Sequence, residues 1–249
     1  MSKKPEGMYK AVLRITGPLI RPMMRTHWTG QENLPKEGPF ILIMNHVTEF
    51  DPFMVMYYLG DEGHAVRALA KDSLFRVPLL KTVLKRAKMV PVHRSSSEAG
   101  DALKNAKIAI AQGESIAFFP EGTLTRDPDM WPMTFKTGAA RLAFAMNVPV
   151  IPLAQWGGHK IMHRFRDSIP FLKGRQDVWV HTGPAIDLSD LNQDEEDRAA
   201  VHAATRRMQR VITQMVAALR NEEPPRYPWN PKLGRYLTAD DDAGDTTSS

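Results

Sequence analysis

The chain has 249 residues, 43% of them hydrophobic, and no cysteine, which fits one domain around one core and excludes disulfides, a cysteine nucleophile and thiolate metal sites. Its formal charge of +5 already includes the tail carboxylates Asp240, Asp241, Asp242 and Asp245, so the body is more basic still and suits an anionic partner: nucleic acid, a membrane surface or a phosphorylated substrate. No apolar run reaches the roughly 18 residues of a spanning helix, and the start lacks the apolar stretch of a secretory signal, so the expectation is a cytoplasmic or peripheral protein.

Residues 8 to 25, wound as a helix, bring Lys10, Arg14, Arg21 and Arg25 within about 60° of one another, opposite Met8, Val12, Leu13, Leu19, Ile20 and Met23. That pattern fits a helix lying in a bilayer interface, and equally a core-packing helix with a solvated face. Gly17-Pro18 predicts a kink, or a break into two short helices. Thr26 to Thr29 reads as a first strand, and Asn33 to Pro39 as a turn-rich connector. The apolar run Phe40 to Met44 then reads as a buried strand and leads into Asn45-His46-Val47-Thr48-Glu49-Phe50-Asp51. A helix is expected over Pro52 to Leu59, closed by Gly60. His46 and Asp51 thus share a strand-to-helix turn. A carboxylate there can accept an imidazole N–H, fix the tautomer and leave the other ring nitrogen free to take a proton from a hydroxyl. Taken alone, the same spacing also describes a loop histidine and a helix N-cap.

Ala65 to Ala70 reads as a further strand. Between Arg67 and Arg94 eight basic residues, Lys71 among them, face the single acid Asp72. Such an excess attracts phosphates, whether of coenzyme A, a lipid headgroup or a membrane. Nucleic acid is not expected, because the segment has no interleaved aromatics and no nucleic-acid motif. Met89 to Val92 fits a short strand and Glu98 to Gln112 a helix stopped by Gly113. Ser115 to Phe119 is a second buried strand and runs into Pro120-Glu121-Gly122-Thr123. Strands alternating with helices predict an α/β single domain with a mostly parallel central sheet flanked by helices. Function then belongs at the carboxyl ends of the strands, where both the His46 and the Glu121 turns fall.

Beyond Glu121, Leu124 to Thr134 reads as an ordered loop over the site, followed by a helix from Phe135 to about Asn147 and a buried strand from Val148 to Ala154. His159 and His163 have the spacing of a zinc pair, yet they follow Gly157-Gly158 and have no acid nearby, so they are read as non-ligands. Gln176 to Thr182 is the expected last strand and Asp194 to Asn221 the longest helix, with a core stripe through Val201, Ala204, Met208 and Ile212. Glu222 to Tyr236 reads as an extended wrap, and Thr238 to Ser249 as an acidic, disordered tail.

Taken together, Asn-His-x4-Asp at 45–51 and Phe-Pro-Glu-Gly-Thr at 119–123 resemble the glycerolipid acyltransferases of the 1-acylglycerol-3-phosphate acyltransferase family. The likeness extends to Lys71 through Arg94 and to Val148 through Pro152. The family's use of N-terminal helices favours the membrane reading for residues 1–30, ahead of a catalytic domain at 31–221 and an extension at 222–249. The resemblance implies transfer of a fatty acyl group from acyl-coenzyme A, or acyl carrier protein, to a lysophospholipid, foremost 1-acylglycerol-3-phosphate. It implies a peripheral protein on the cytoplasmic face of an anionic membrane, with no metal and no cofactor beyond the acyl-coenzyme A co-substrate. His46 would be the base and Asp51 its orienting partner. Substrate binding would fall to Lys71, Arg94, Glu121, Gly122 and Thr123. The common form of the last block continues with an arginine for the acceptor phosphate, but this chain has Leu124 there. Arg126, Lys136 or Arg94 would then hold the phosphate. That departure leaves open another lysophospholipid or a glycolipid as acceptor; separate readings are hydrolysis with water as acceptor and, from the basic body of the chain, a non-enzymatic membrane-binding or nucleic-acid-binding role.

Overall fold

Every side chain of strand Ile41–Met44 is buried because both faces of the sheet are covered there, which is why the sequence shows a continuous apolar run and no alternation. The computed structural model describes residues 8–71, 90–92, 96–164 and 174–244. Its strands are β1 (Met24–Thr29), β2 (Ile41–Met44), β3 (Val66–Lys71), β4 (Val90–Val92), β5 (Ser115–Phe118), β6 (Val150–Trp156) and β7 (Gln176–Thr182). They form one sheet in the order β1-β7-β6-β2-β5-β3-β4. From β6 to β4 all neighbours are parallel. β7 joins β6 antiparallel and carries β1 parallel to itself, so these two strands run against the other five. The architecture is thus α/β with a mostly parallel sheet flanked by helices.

One face is covered by α3 (Ser96–Ala111), α4 (Gly138–Met146) and α6 (Arg198–Arg220), which pack with Ile41, Ile43, Ile116, Phe118 and Val150. The other face carries α2 (Asp51–Asp61), which meets Leu42, Met44, Ala117, Ile151 and Leu153. α6 begins at Asp197, whose carboxylate accepts the Ala200 amide at 3.0 Å, and ends at Asn221 in the left-handed conformation, φ 53°. α5 (Gly158–Ile161) is a single turn after β6.

Four expectations change. α1 (Met8–Ile20) does not break at Gly17-Pro18 but continues through Pro18 into a short 3-10 turn. Pro18 lies in its last turn, where a missing N–H removes only one hydrogen bond. Gly17 instead provides room, since a Cβ there would collide with the Tyr57 hydroxyl, which donates to Leu13 O at 2.7 Å. Gly60 likewise does not end α2, which runs on to Asp61; a Cβ at Gly60 would meet Leu13, and Gly63 takes the left-handed turn at φ 73°. Arg25 belongs to β1, where it pairs with Asp177, so the exposed cations of the first helix and its turn are Lys10, Arg14 and Arg21. The tail is ordered at its start, as α7 (Ala239–Gly244), held by an Arg235–Asp241 ion pair at 2.8 Å and by Asp241 accepting from the Thr238 amide.

Candidate active site

The carboxyl ends of β5, β2 and β6 lie side by side, and three turns grow from them. Asn45 extends β2 with its side chain: its amide group donates to Gln155 O at 3.0 Å and its Oδ1 accepts from Gln155 N at 2.9 Å, while Gln155 Nε2 reaches Asn45 O at 2.8 Å. Both residues are buried, and the pair fixes the point where the turn leaves the sheet.

From there His46 turns its ring toward Asp51. His46 Nδ1 lies 3.1 Å from Asp51 Oδ2, and the same oxygen accepts the Val47 and Thr48 amides at 2.6 and 2.9 Å. Asp51 Oδ1 accepts the Thr48 hydroxyl at 3.0 Å. The carboxylate therefore points back over the turn and not forward as an N-cap; three donors on one oxygen hold it as an acceptor for the Nδ1 proton. With Nδ1 so engaged, Nε2 keeps a free lone pair. Phe119, from the end of β5, stacks on the imidazole at 4.0 Å and 25°. The His46 side chain is 16% exposed and that of Asp51 2%, so the imidazole is reachable and its partner is not. A base with a shielded orienting carboxylate can accept a proton from a bound hydroxyl.

Glu121 is turned inward. Its Oε1 accepts the His46 amide at 2.9 Å and its Oε2 the Met133 amide at 3.0 Å, so it ties the His46 turn to the loop that follows β5. Burial pushes this carboxyl up to about 8, partly offset by the two amides and reinforced by Asp51 and Asp127. Gly122 adopts φ 74°, and the Lys136 side chain crosses above it, where a Cβ would sit 2.7 Å from Nζ. Thr123 is half-buried beside it, Leu124 is buried, and Arg126 and Lys136 are exposed. The loop is braced from within: Thr125 N donates to His46 O at 2.7 Å, Asp127 Oδ1 accepts the Asp129 and Trp131 amides, and Arg164 Nη1 donates to the carbonyls of Thr125 and Asp127.

The structure thus brings together His46, Asp51, Glu121, Gly122, Thr123 and Lys136, with Arg126 on the same loop. Lys71 closes β3, and Arg94 lies outside the described residues. Sequence reasoning missed the third turn. Gly158 packs against Asp51, where a Cβ would stand 3.0 Å from Oδ1 and 3.4 Å from Thr48 Oγ1. His159, next in chain, is neutral: burial first and then the charge of Lys160 push its imidazole down to about 4. The paired glycines 157 and 158 directly after an apolar strand were the available signal. Among the described residues no cluster of three or more His, Cys, Asp or Glu could hold a metal ion.

A model of a family described as Acyltransferase matches residues 25–156, which take in the His46 and Glu121 turns and end with β6, just before the Gly158 turn. The chain is 32% identical over 171 residues to a 1-acyl-sn-glycerol-3-phosphate acyltransferase of Borreliella burgdorferi, a match covering 68% of this chain and 64% of that protein. It is also 32% identical over 178 residues to a chloroplastic enzyme of the same name from Brassica napus, covering 71% of this chain and 50% of that one. The chain therefore spans between half and two thirds of the length of these two relatives. In three dimensions it is similar to the crystal structure of the 1-acyl-sn-glycerophosphate acyltransferase of Thermotoga maritima, with a TM-score of 0.65 over 87% of this chain and 81% of that one; at 19% identity this speaks for the fold. With the family match covering more than half its length, including the His46 and Glu121 turns, the chain belongs to the acyltransferase family.

Proposed function

We propose that the protein moves a fatty acyl group from the thioester of acyl-coenzyme A, or of acyl carrier protein, to the free hydroxyl of 1-acylglycerol-3-phosphate, giving phosphatidic acid. The observation that carries the reading is the His46–Asp51 pair, 3.1 Å apart, at the mouth of the parallel sheet. His46 Nε2 takes the proton as the hydroxyl oxygen attacks the thioester carbonyl. Collapse of the tetrahedral intermediate breaks the C–S bond, and the imidazolium returns its proton to the leaving thiolate, while Asp51 steadies the transient charge on the ring. A thioester is already activated, so no covalent enzyme intermediate is needed.

The acceptor phosphate is assigned to Lys136, above Gly122, and to Arg126, with Arg94 and Lys71 carried over from the family resemblance. Buried Leu124 cannot serve a phosphate, which favours as second reading another lysophospholipid or glycolipid acceptor. Of residues 1–30, the part ahead of β1 is assigned to an interfacial segment, while Met24–Thr29 pairs with β7 and joins residues 31–221 in the catalytic domain, with residues 222–249 as an extension beyond it. The exposed Lys10 and Arg14, beside Arg21 in its ion pair with Asp61, suit the anionic cytoplasmic face of a membrane. Among the described residues no helix is long and apolar enough to cross one.

The test is thiol release from a long-chain acyl-coenzyme A by the purified protein, with and without lysophosphatidate, beside His46→Ala. Release that needs both the acceptor and His46 supports the reading. Release that needs His46 but ignores lysophosphatidate moves the proposal to a different acceptor or to water. Undiminished transfer by His46→Ala removes it.

A further inference from the structure

Four side chains from three stretches of the chain meet at the edge of the site. The Arg220 guanidinium, on the last residue of α6, lies 3.8 Å from the centre of the Trp131 ring and 4.5 Å from that of Trp156. The Trp156 ring in turn lies 4.4 Å from the imidazole of His159. Nη1 of Arg220 donates to Asp129 O at 2.7 Å, while Nε and Nη2 donate to Glu222 Oε2 at 3.0 and 2.5 Å. Only 7% of the Arg220 side chain is exposed. A guanidinium withdrawn from water this far needs partners on its edge and its faces, and here it has both.

Each tryptophan stands beside one wall of the site. The Trp131 amide donates to Asp127 Oδ1 and its carbonyl accepts the Thr125 hydroxyl at 2.6 Å; two residues on, the Met133 amide holds Glu121, which holds the His46 amide. Trp156 ends β6, and Gly157-Gly158 follow it beneath Asp51. Arg220 lies beyond the stretch that the family match covers, whereas both tryptophans lie inside it.

We propose that Arg220 is a positioning residue for acyl transfer, clamping the Trp131 loop and the Trp156 turn at the separation that His46 and Asp51 require. The inference rests on the transferase reading above. Misplacing reacting groups by about 1 Å can cost on the order of a hundredfold in rate, so a clamp outside the site can govern turnover without touching substrate.

Arg220→Lys tests it, because lysine keeps the charge, the pairing with Glu222 and the favourable place at a helix C-terminus, but lacks the plane that lies against two rings. The expected result is a fall in kcat of roughly tenfold or more, with KM for donor and acceptor within about twofold. The full-length variant should also show faster amide hydrogen exchange at His46 and Met133, the two donors to Glu121. Glu222→Ala, which leaves both rings and the Asp129 bond in place, should lose clearly less than Arg220→Lys in both readouts, and Trp131→Phe should give a milder form of the Arg220→Lys pattern. A kcat within twofold of wild type together with unchanged exchange in Arg220→Lys overturns the proposal, as does an equal loss in Glu222→Ala. If the wild type transfers no acyl group, the transferase reading falls on its own, and exchange at His46 and Met133 still decides whether Arg220 holds the turn.

Discussion

The Glu121 carboxyl group is bonded to the backbone of His46: Oε1 accepts the His46 amide at 2.9 Å, inside a site where burial drives the carboxyl up to about 8. The native state therefore keeps a proton that the unfolded chain releases above about 4.5. Stability from this group is complete below that pH and is lost as pH rises through 8, with a slope of at most about 1.4 kcal/mol per pH unit. Glu121→Gln removes the titration. Denaturant melts at pH 5, 7 and 9 should show the wild type losing stability faster than the variant across this range. Parallel slopes would mean that the carboxyl ionises in the native state at its ordinary pH.

His159 acts on the opposite limb. Its imidazole is driven from 6.5 down to about 4, so the unfolded chain takes up a proton that the native state refuses. Its contribution is complete above 6.5 and is lost as pH falls through 4. His159→Phe, which keeps a ring beside Trp156, should soften the fall in melting temperature between pH 7 and 4 while leaving the alkaline side unchanged. An acid limb as steep as that of the wild type would contradict the assignment.

How much of this was legible beforehand depends on whether the cause was local. β2 and β5 stood out because strands covered on both faces must be apolar throughout, and the turns behind them followed from chain order. The parallel sheet followed from alternating strands and helices. The reversal at β7 and β1 did not, since the direction in which a late strand joins an edge depends on pairing partners far away in sequence. Gly60 was misread as a stop because a mid-helix glycine and a terminal one look alike until Leu13 is seen against it. Arg220 carries no signal in the sequence for a similar reason: both its tryptophans come from other elements, and no spacing in the chain announces them. Glu121 was legible as a site residue, but that its oxygens face two backbone amides depended on where Met133 would fall.

Asp51 tests the electrostatic half of the dyad. Asn at this position can keep an oxygen toward the Val47 and Thr48 amides and turn its amino group to the Thr48 hydroxyl, so the turn should survive. What is lost is the negative charge that steadies a protonated His46. Asp51→Asn is expected to lower kcat on the order of 10²- to 10⁴-fold while donor and acceptor KM change little. Circular dichroism should confirm an unchanged fold. A variant that keeps its turnover would show that His46 does not work through this carboxylate.

Gly122 tests the acceptor side. Its φ of 74° is readily open to glycine, and an added Cβ would stand 2.7 Å from both Cε and Nζ of Lys136. The lysine end is flexible and can move away, so the stability loss of Gly122→Ala should be set mainly by the backbone, about 1–2 kcal/mol. Displacing Nζ should nevertheless raise the KM for a phosphate-bearing acceptor several-fold and leave the KM for acyl-coenzyme A close to wild type. Lys136→Met removes the charge without the backbone strain and should reproduce the kinetic effect alone. If both variants raise the donor KM instead, Lys136 belongs to the coenzyme A phosphates, and the acceptor must be held by cations elsewhere on the loop.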